Sequence, residues 1–313
     1  MGERASASRR ALSIVVPTRD RPEMLTRCVE SLATAVGADD EIIVVDSASR
    51  DAPRIAAAAA AATKVLRCDH PGVNRARNAG WHAASHLLIA YVDDDVIVDA
   101  GWADGFARAA VAHPESAFFT GRIAAHPSAM TAHGNVAVKD EPVAAVLDGD
   151  SRGDLGHGAS LLVRTIALAA VGGWDEAMGV GARFRSSPET DLYDRLFAAG
   201  FVGRYEPSAL AYHDQWRTSR ELIRLDWRYG FGNGARLAKL VRVDPRRARR
   251  VGGEALWGWG LRRLGPAIAQ RNKTDIGRVS ARLAGTATGF SRALFAPVRN
   301  GHFVERGPSN KVS

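Results

Sequence analysis

The sequence predicts an α/β fold, a doubly wound and mostly parallel sheet, followed by a basic helical extension. Three features predict it. β-Branched apolar runs alternate with helical apolar patterns between Leu12 and Val92, the chain beyond Thr218 shows helical spacing alone, and positive charge gathers in that last part. Strands buried on both faces of a parallel sheet read as continuous apolar runs, and their crossover connections are helices.

The elements follow in order. Leu12 to Pro17, LSIVVP, is a β-branched run closed by a proline, and Met24, Leu25, Cys28, Val29 and Leu32 then recur at helical spacing. Glu41 to Asp46, EIIVVD, repeats the strand signature, and the alanine-rich stretch Ile55 to Ala62 favours helix. Thr63 to Cys68 makes a third strand, Arg75 to Ser85 a third helix, and Leu87 to Val92 a fourth strand. Ala125 to Gly156 has no clear period and is rich in Pro, Gly and Asp, so it reads as an excursion across one face. Gly158 to Val163 is strand-like, Gly172-Gly173 marks a turn, Glu189 to Ala199 is a helix with Leu192, Leu196 and Phe197 inward, and Phe201 to Tyr212 returns extended. Leu222, Leu225, Trp227 and Phe231, then Trp257, Leu261, Leu264 and Ile268, then Ile276, Val279, Leu283, Phe290 and Leu294, define amphipathic helices with arginines between. The expected organisation is a flexible tail over 1–11, an α/β body in two halves, 12–124 and 125–217, and a helical basic extension over 218–313.

Composition narrows the class. The 313 residues carry a net charge of +8, but Arg236 to Arg306 holds 16 Lys/Arg against 4 Asp/Glu, so the rest of the chain is mildly acidic. Two cysteines, Cys28 and Cys68, imply no disulfide framework. No stretch approaches the roughly 18 apolar residues of a membrane helix, and the run after the basic first ten residues is too short for a signal peptide. A cytoplasmic chain is expected.

The fourth strand ends in Asp93-Asp94-Asp95. Adjacent carboxylates repel one another, and a hard divalent cation relieves that repulsion. In open α/β sheets ligands bind outside the carboxyl ends of the strands. Pro17-Thr18-Arg19 closes the first strand, Asp46 the second, and Asn74 to Asn78, NRARN, follows the third, so these polar groups share one predicted edge with the triplet.

The order VVPTRDRP, IIVVDSASRD, GVNRARNAG and AYVDDD, then GGWDE (Gly172 to Glu176), SPETDL (Ser187 to Leu192) and YEPSALAYH (Tyr205 to His213), resembles the GT-A-fold family 2 glycosyltransferases, over about residues 12 to 215. The resemblance implies a Rossmann-like GT-A fold, with 12–124 the nucleotide-sugar half and 125–217 the acceptor half. It implies an inverting, metal-dependent transfer from a UDP-, GDP- or dTDP-sugar to a hydroxyl acceptor on a polysaccharide, glycolipid or small molecule, with Mn²⁺ or Mg²⁺ as cofactor. By the same resemblance Pro17, Thr18 and Arg19 form the turn beside the nucleotide, Asp46 contacts the base or ribose, and Arg77 faces the diphosphate or the acids. Asp93 leans to the ribose or a metal-bound water, Asp94 joins the nucleotide side, and Asp95 holds the metal with His213. Glu189 is the expected general base, in a place where Pro188 replaces the family's first acid, with Asp191 in reserve. Trp174 is expected to line the acceptor pocket, and Gly179 to Arg185 to form a loop over the site with Arg183 or Arg185 on phosphate.

Other classes are weighed on the same text. A nicotinamide or flavin enzyme needs G-x-G-x-x-G at the first turn, where PTRDRP stands instead; GFGNG, Gly230 to Gly234, lies in a helical segment. A sugar nucleotidyltransferase would carry a glycine-rich phosphate loop there, and stays as the alternative. No nucleic acid is expected, because Trp257 and Trp259 fall at helical spacing. The basic helices are expected to rest on the body or on an anionic membrane surface, giving a peripheral place on its inner face.

Overall fold

The computed structural model describes residues 10–126, 138–213 and 219–304. The expected tail up to residue 9 and the middle of the excursion lie outside the described residues. The chain divides into two compact units: the first takes residues up to Trp174 and Leu196–Trp216, the second Asp175–Arg195 and the chain from Arg217 on.

The first unit begins with β1 (Ser13–Thr18), buried along its whole length, and α1 (Pro22–Ala35), which turns Leu25, Cys28, Val29 and Leu32 inward. Fully burying each such aliphatic side chain contributes about 1.5–3 kcal/mol. β2 (Glu41–Ser47), α2 (Ala52–Ala58), β3 (Lys64–Cys68), α3 (Val73–Ala83) and β4 (Leu88–Val92) complete the alternation. β1 pairs in parallel with β2 and β4, and β2 with β3. This half of the sheet is wholly parallel.

β5 (Val96–Val98), α4 (Trp102–Ala112), β6 (Ser116–Ala125), β7 (Ala145–Leu147), β8 (Ser160–Arg164), α5 (Thr165–Ala170), α6 (Pro188–Ala198) and β9 (Val202–His213) follow. The sheet runs β3-β2-β1-β4-β8-β6-β9-β5, with β7 on β9. β8 joins β4 and β6 antiparallel, β6 and β9 are parallel, and β9 holds β5 and β7 antiparallel. The second half is therefore mixed.

Several elements differ from the sequence expectation. The alanine-rich helix starts earlier, because Asp51 accepts from Arg54 N at 3.1 Å and Pro53 suits the first turn, and it stops at Ala58. Alanine propensity yields there to the need to bring Lys64–Cys68 back beside β2. α4 and β6 add a helix and a ten-residue strand where no element was read.

In the second unit the residues from Asp175 to Arg195, including the first turns of α6, group with α7 (Ser219–Val243), α8 (Pro245–Glu254), a π-helical stretch Ala255–Leu261, α9 (Arg262–Ala269), α10 (Lys273–Ala293) and a hairpin of β10 (Val298–Arg299) and β11 (His302–Phe303). Its apolar core joins Met178 and Phe184 to Phe231, Ala235, Ala238 and Phe303. The segment read as acceptor half, 125–217, is thus divided, and 175–195 keeps company with the basic helices.

Candidate active site

Parallel pairing in register sets the strand ends side by side: Thr18 is opposite Asp46, and Asp46 opposite Arg67. Asp46 is buried. Its Oδ1 accepts from Ser49 N at 2.8 Å and its Oδ2 pairs with the half-exposed Arg67 guanidinium. Pro17 is buried within β1 and Arg19 is exposed, so only Thr18 of that turn points its side chain at the acids. Thr18 Oγ1 donates to Asp94 Oδ2 at 2.7 Å.

The three acids have three environments. Asp94 is sealed in; burial drives its pKa up to about 7 against the pull of Arg21, with Asp95 raising it further. Arg21 reaches two of them, Asp94 Oδ1 at 2.8 Å and Asp95 Oδ2 at 3.0 Å. Asp93 is the most exposed, its side chain 34% accessible, and Arg77 Nη2 donates to its Oδ1 at 2.8 Å. The sequence offered one clue to Arg21, its place before the helix-starting Pro22. Arg67 carried none beyond its strand.

His213 reaches the triplet for a topological reason. β5 starts at Val96, directly after Asp95, and pairs antiparallel with β9 so that Val96 faces His213. His213 Nε2 comes to 3.5 Å from Asp95 Oδ1, and its Nδ1 has no hydrogen-bond partner among the described residues. A carboxylate oxygen and an imidazole nitrogen suit Mn²⁺ better than Mg²⁺, and two adjacent ligands on one small cation lie ~3 Å apart. Among the described residues no group of three or more His, Cys, Asp or Glu could hold a metal. The Asp95 and His213 pair fits a cation bound by one or two protein ligands whose shell is completed by phosphate and water.

Arg77 is 2% exposed and lies over the Trp174 ring, 4.5 Å from its centroid. Asn78 holds that tryptophan by its backbone, donating to Trp174 O at 3.0 Å and accepting from Trp174 N at 2.9 Å. Trp174 is itself 1% exposed and meets Tyr91 edge-on. A ring covered this way offers no face to an acceptor, so the expected pocket wall is instead the floor under Arg77.

In the second unit Glu189 and Asp191 fall in the first turn of α6. Glu189 is half-buried. Asp191 is buried, with Lys239 Nζ at 2.5 Å and Arg195 Nε at 3.1 Å. Burial would raise its pKa, but Lys239 and then Arg195 overcome this and hold it low. A carboxylate held so has little proton affinity to offer as a base. Lys239 also binds Asp175 Oδ2 at 2.7 Å and Gly301 O at 2.9 Å, while Arg236 and Arg247 both pair with Asp194. These cations were not singled out in the sequence, where they are hidden in a run of basic residues. Gly179 and Gly181 take positive φ, but Phe184 is in the unit's core and Arg185 lies over Trp227 and Phe231.

Residues 13–135 match the model of glycosyl transferase family 2, a span that contains every strand end from Thr18 to Asp95. The strand-end site thus lies inside the stretch that is similar to glycosyl transferase family 2, on a GT-A fold. Two curated relatives, each named Pre-mycofactocin glycosyltransferase, come from Mycobacterium tuberculosis strains CDC 1551 / Oshkosh and ATCC 25618 / H37Rv; each is 30% identical over 308 residues. The match takes 92% of this chain, which spans only 58% of the length of those relatives. The mannosyltransferase PcManGT from Pyrobaculum calidifontis, in complex with GDP-Man and Mn²⁺, shares the fold with a TM-score of 0.61 at 15% identity, over 92% of this chain and 88% of its own. S. aureus TarS 1-349 in complex with UDP does so at 0.54 and 15%, over 95% and 98%. At such identities the likeness is one of fold. No described helix is long and apolar enough to cross a membrane.

Proposed function

We propose that the chain transfers a sugar, with inversion, from a nucleotide-sugar donor to a hydroxyl acceptor, using Mn²⁺ or Mg²⁺. The observation that carries this reading is the gathering of Thr18, Arg21, Arg77, Asp93, Asp95 and His213 by direct contacts at the carboxyl ends of the strands. The family 2 match and the GDP-Man and UDP complexes of the fold neighbours support a nucleotide sugar, of UDP, GDP or dTDP type, as donor.

Asp95 and His213 would hold the cation, which when bound supplies Lewis-acid neutralisation of the leaving diphosphate. Arg77 presents positive charge beside Asp93, and Asp93 is exposed enough to receive a ribose hydroxyl. Asp46 and Arg67 serve the nucleoside end. Thr18 and Arg21 keep Asp94 in place and leave Asp95 Oδ1 on the His213 side. In an inverting transfer the acceptor oxygen bonds to the anomeric carbon as the bond to the diphosphate breaks, and a base takes the hydroxyl proton. Glu189 is proposed as that base; the ion pairing of Asp191 favours it over its neighbour.

The test is release of nucleoside diphosphate from a panel of nucleotide sugars with Mn²⁺. Glu189→Gln is expected to keep donor binding and to lower transfer by roughly 10²–10⁴-fold, as loss of a general base does. Near-normal turnover would move the role elsewhere. Formation of nucleoside triphosphate from pyrophosphate would favour the nucleotidyltransferase alternative instead. An acceptor carried at a membrane surface is part of this proposal.

A further inference from the structure

The basic helices divide their charges between two uses. Arg236, Lys239 and Arg247 are buried and bound to Asp194, Asp175 and Asp191 inside the second unit. α8, the π-helical stretch and α9 then carry a different set outward. Arg246, Arg249, Gly253, Leu256 and Trp257 are all exposed and recur at i, i+3, i+7, i+10 and i+11, one face of a helix. Leu256 is 58% and Trp257 66% exposed. The opposite face is the packed one: Arg247 and Ala248 are buried, Gly252 sits against Leu237 of α7, and Gly260 against Leu283 of α10. Arg262, Arg263 and Ile268 continue the exposure along α9, Ile268 at 56%.

The charge on this stretch has one sign. Pro245 to Lys273 holds eight Lys/Arg against Glu254 alone, and Glu254 is half-buried. We propose that this outward face, a basic end followed by a Leu-Trp apolar end, docks on an anionic lipid bilayer. Guanidinium groups are attracted to such a surface, and an exposed tryptophan seats its ring at the headgroup level. An apolar pair among cations suits a lipid surface better than a nucleic-acid backbone, which would use the cations and leave Leu256 in water. The inference rests on the proposed transfer only for the idea that the acceptor is met at the membrane; lipid binding is read without donor or acceptor, so the two fail separately.

The experiment is flotation of the full chain with phosphatidylcholine vesicles, alone or with roughly one third phosphatidylglycerol. The chain is expected to float with the anionic vesicles and not with the neutral ones. Arg246→Glu with Arg249→Glu is expected to weaken partition at least about tenfold, whereas Arg54→Glu with Arg108→Glu, an equal charge change on exposed arginines of α2 and α4, stays within about twofold. Lipids with brominated chains are expected to quench fluorescence of the unsubstituted protein, and Trp257→Phe to remove that quenching. The proposal is overturned if no anionic vesicle binds, if both double variants lose binding equally, if quenching is unchanged in Trp257→Phe, or if single-stranded RNA outcompetes the vesicles.

Discussion

Arg21 bridges two buried carboxylates, and Asp94, the more deeply sealed of them, has no route to water that would relieve its charge. Removing one member of a buried pair leaves an uncompensated charge; removing both does not. Arg21→Met is therefore expected to cost about 2 kcal/mol of stability, and Asp94→Asn added to it to return most of that loss, measured by urea unfolding of the four corners of the cycle. Glu41 makes the opposite case at the far end of the same sheet. Burial would raise its pKa, but Lys64, Ser13 and Ser85 bind its carboxylate and hold it at about 2. A folded value below the unfolded one, about 4.3, gives stability present above that pH and lost as pH falls from there toward 2. The melting-temperature gap between the native chain and Glu41→Gln is expected to shrink steadily over that window. At this scale the acids were legible because three adjacent carboxylates at a strand end need a reason. Of the cations around them Arg77 was singled out from the sequence, but Arg21 on the triplet and Arg67 on Asp46 look like any surface arginine until register and helix geometry bring them in.

α7 and α10 cross with their backbones in contact. Gly230 and Gly234 on one helix face backbone oxygens of Arg282 and Thr286, and Gly285 and Gly289 on the other face those of Trp227 and Phe231, so a Cβ at any of the four would overlap the facing chain. Gly232, between the first two, meets Ser186 instead. GFGNG is thus a packing seam, which its position in a helical segment already set apart from a phosphate loop. Gly285→Val is expected to destabilise by at least about 2 kcal/mol, since the helices must part. Gly253→Ala, on exposed α8 with open space around it, is expected to stabilise by roughly 0.5–1 kcal/mol through helix propensity alone. Thermal melts of the two variants check both signs. β1, β2 and β4 were readable because each is buried along its whole length and built on a continuous apolar run. α4 and β6 were missed although Trp102, Phe106 and Ala110 are spaced for a helix and Phe118-Phe119 for a strand.

The whole chain is organised otherwise than its charge profile suggests. A mildly acidic body with a basic tail reads as a domain and an appendage, but the compact division assigns Asp175–Arg195 to the helical unit. Besides the apolar core around Met178 and Phe184 the reason is ionic: Asp175, Asp191 and Asp194 find their counter-charges on α7 and α8. No one-dimensional count of charge could separate these buried cations from the exposed ones. The central claim belongs to the first unit, where Asp95 is proposed to bind the cation that meets the donor's diphosphate. Calorimetric titration of the full chain with the active nucleotide sugar, with and without Mn²⁺, tests it most directly. The native chain is expected to bind the donor tightly only with the metal, and Asp95→Ala to lose that metal-dependent increment while still folding, as a cooperative melt shows; an undiminished increment in Asp95→Ala would contradict the account.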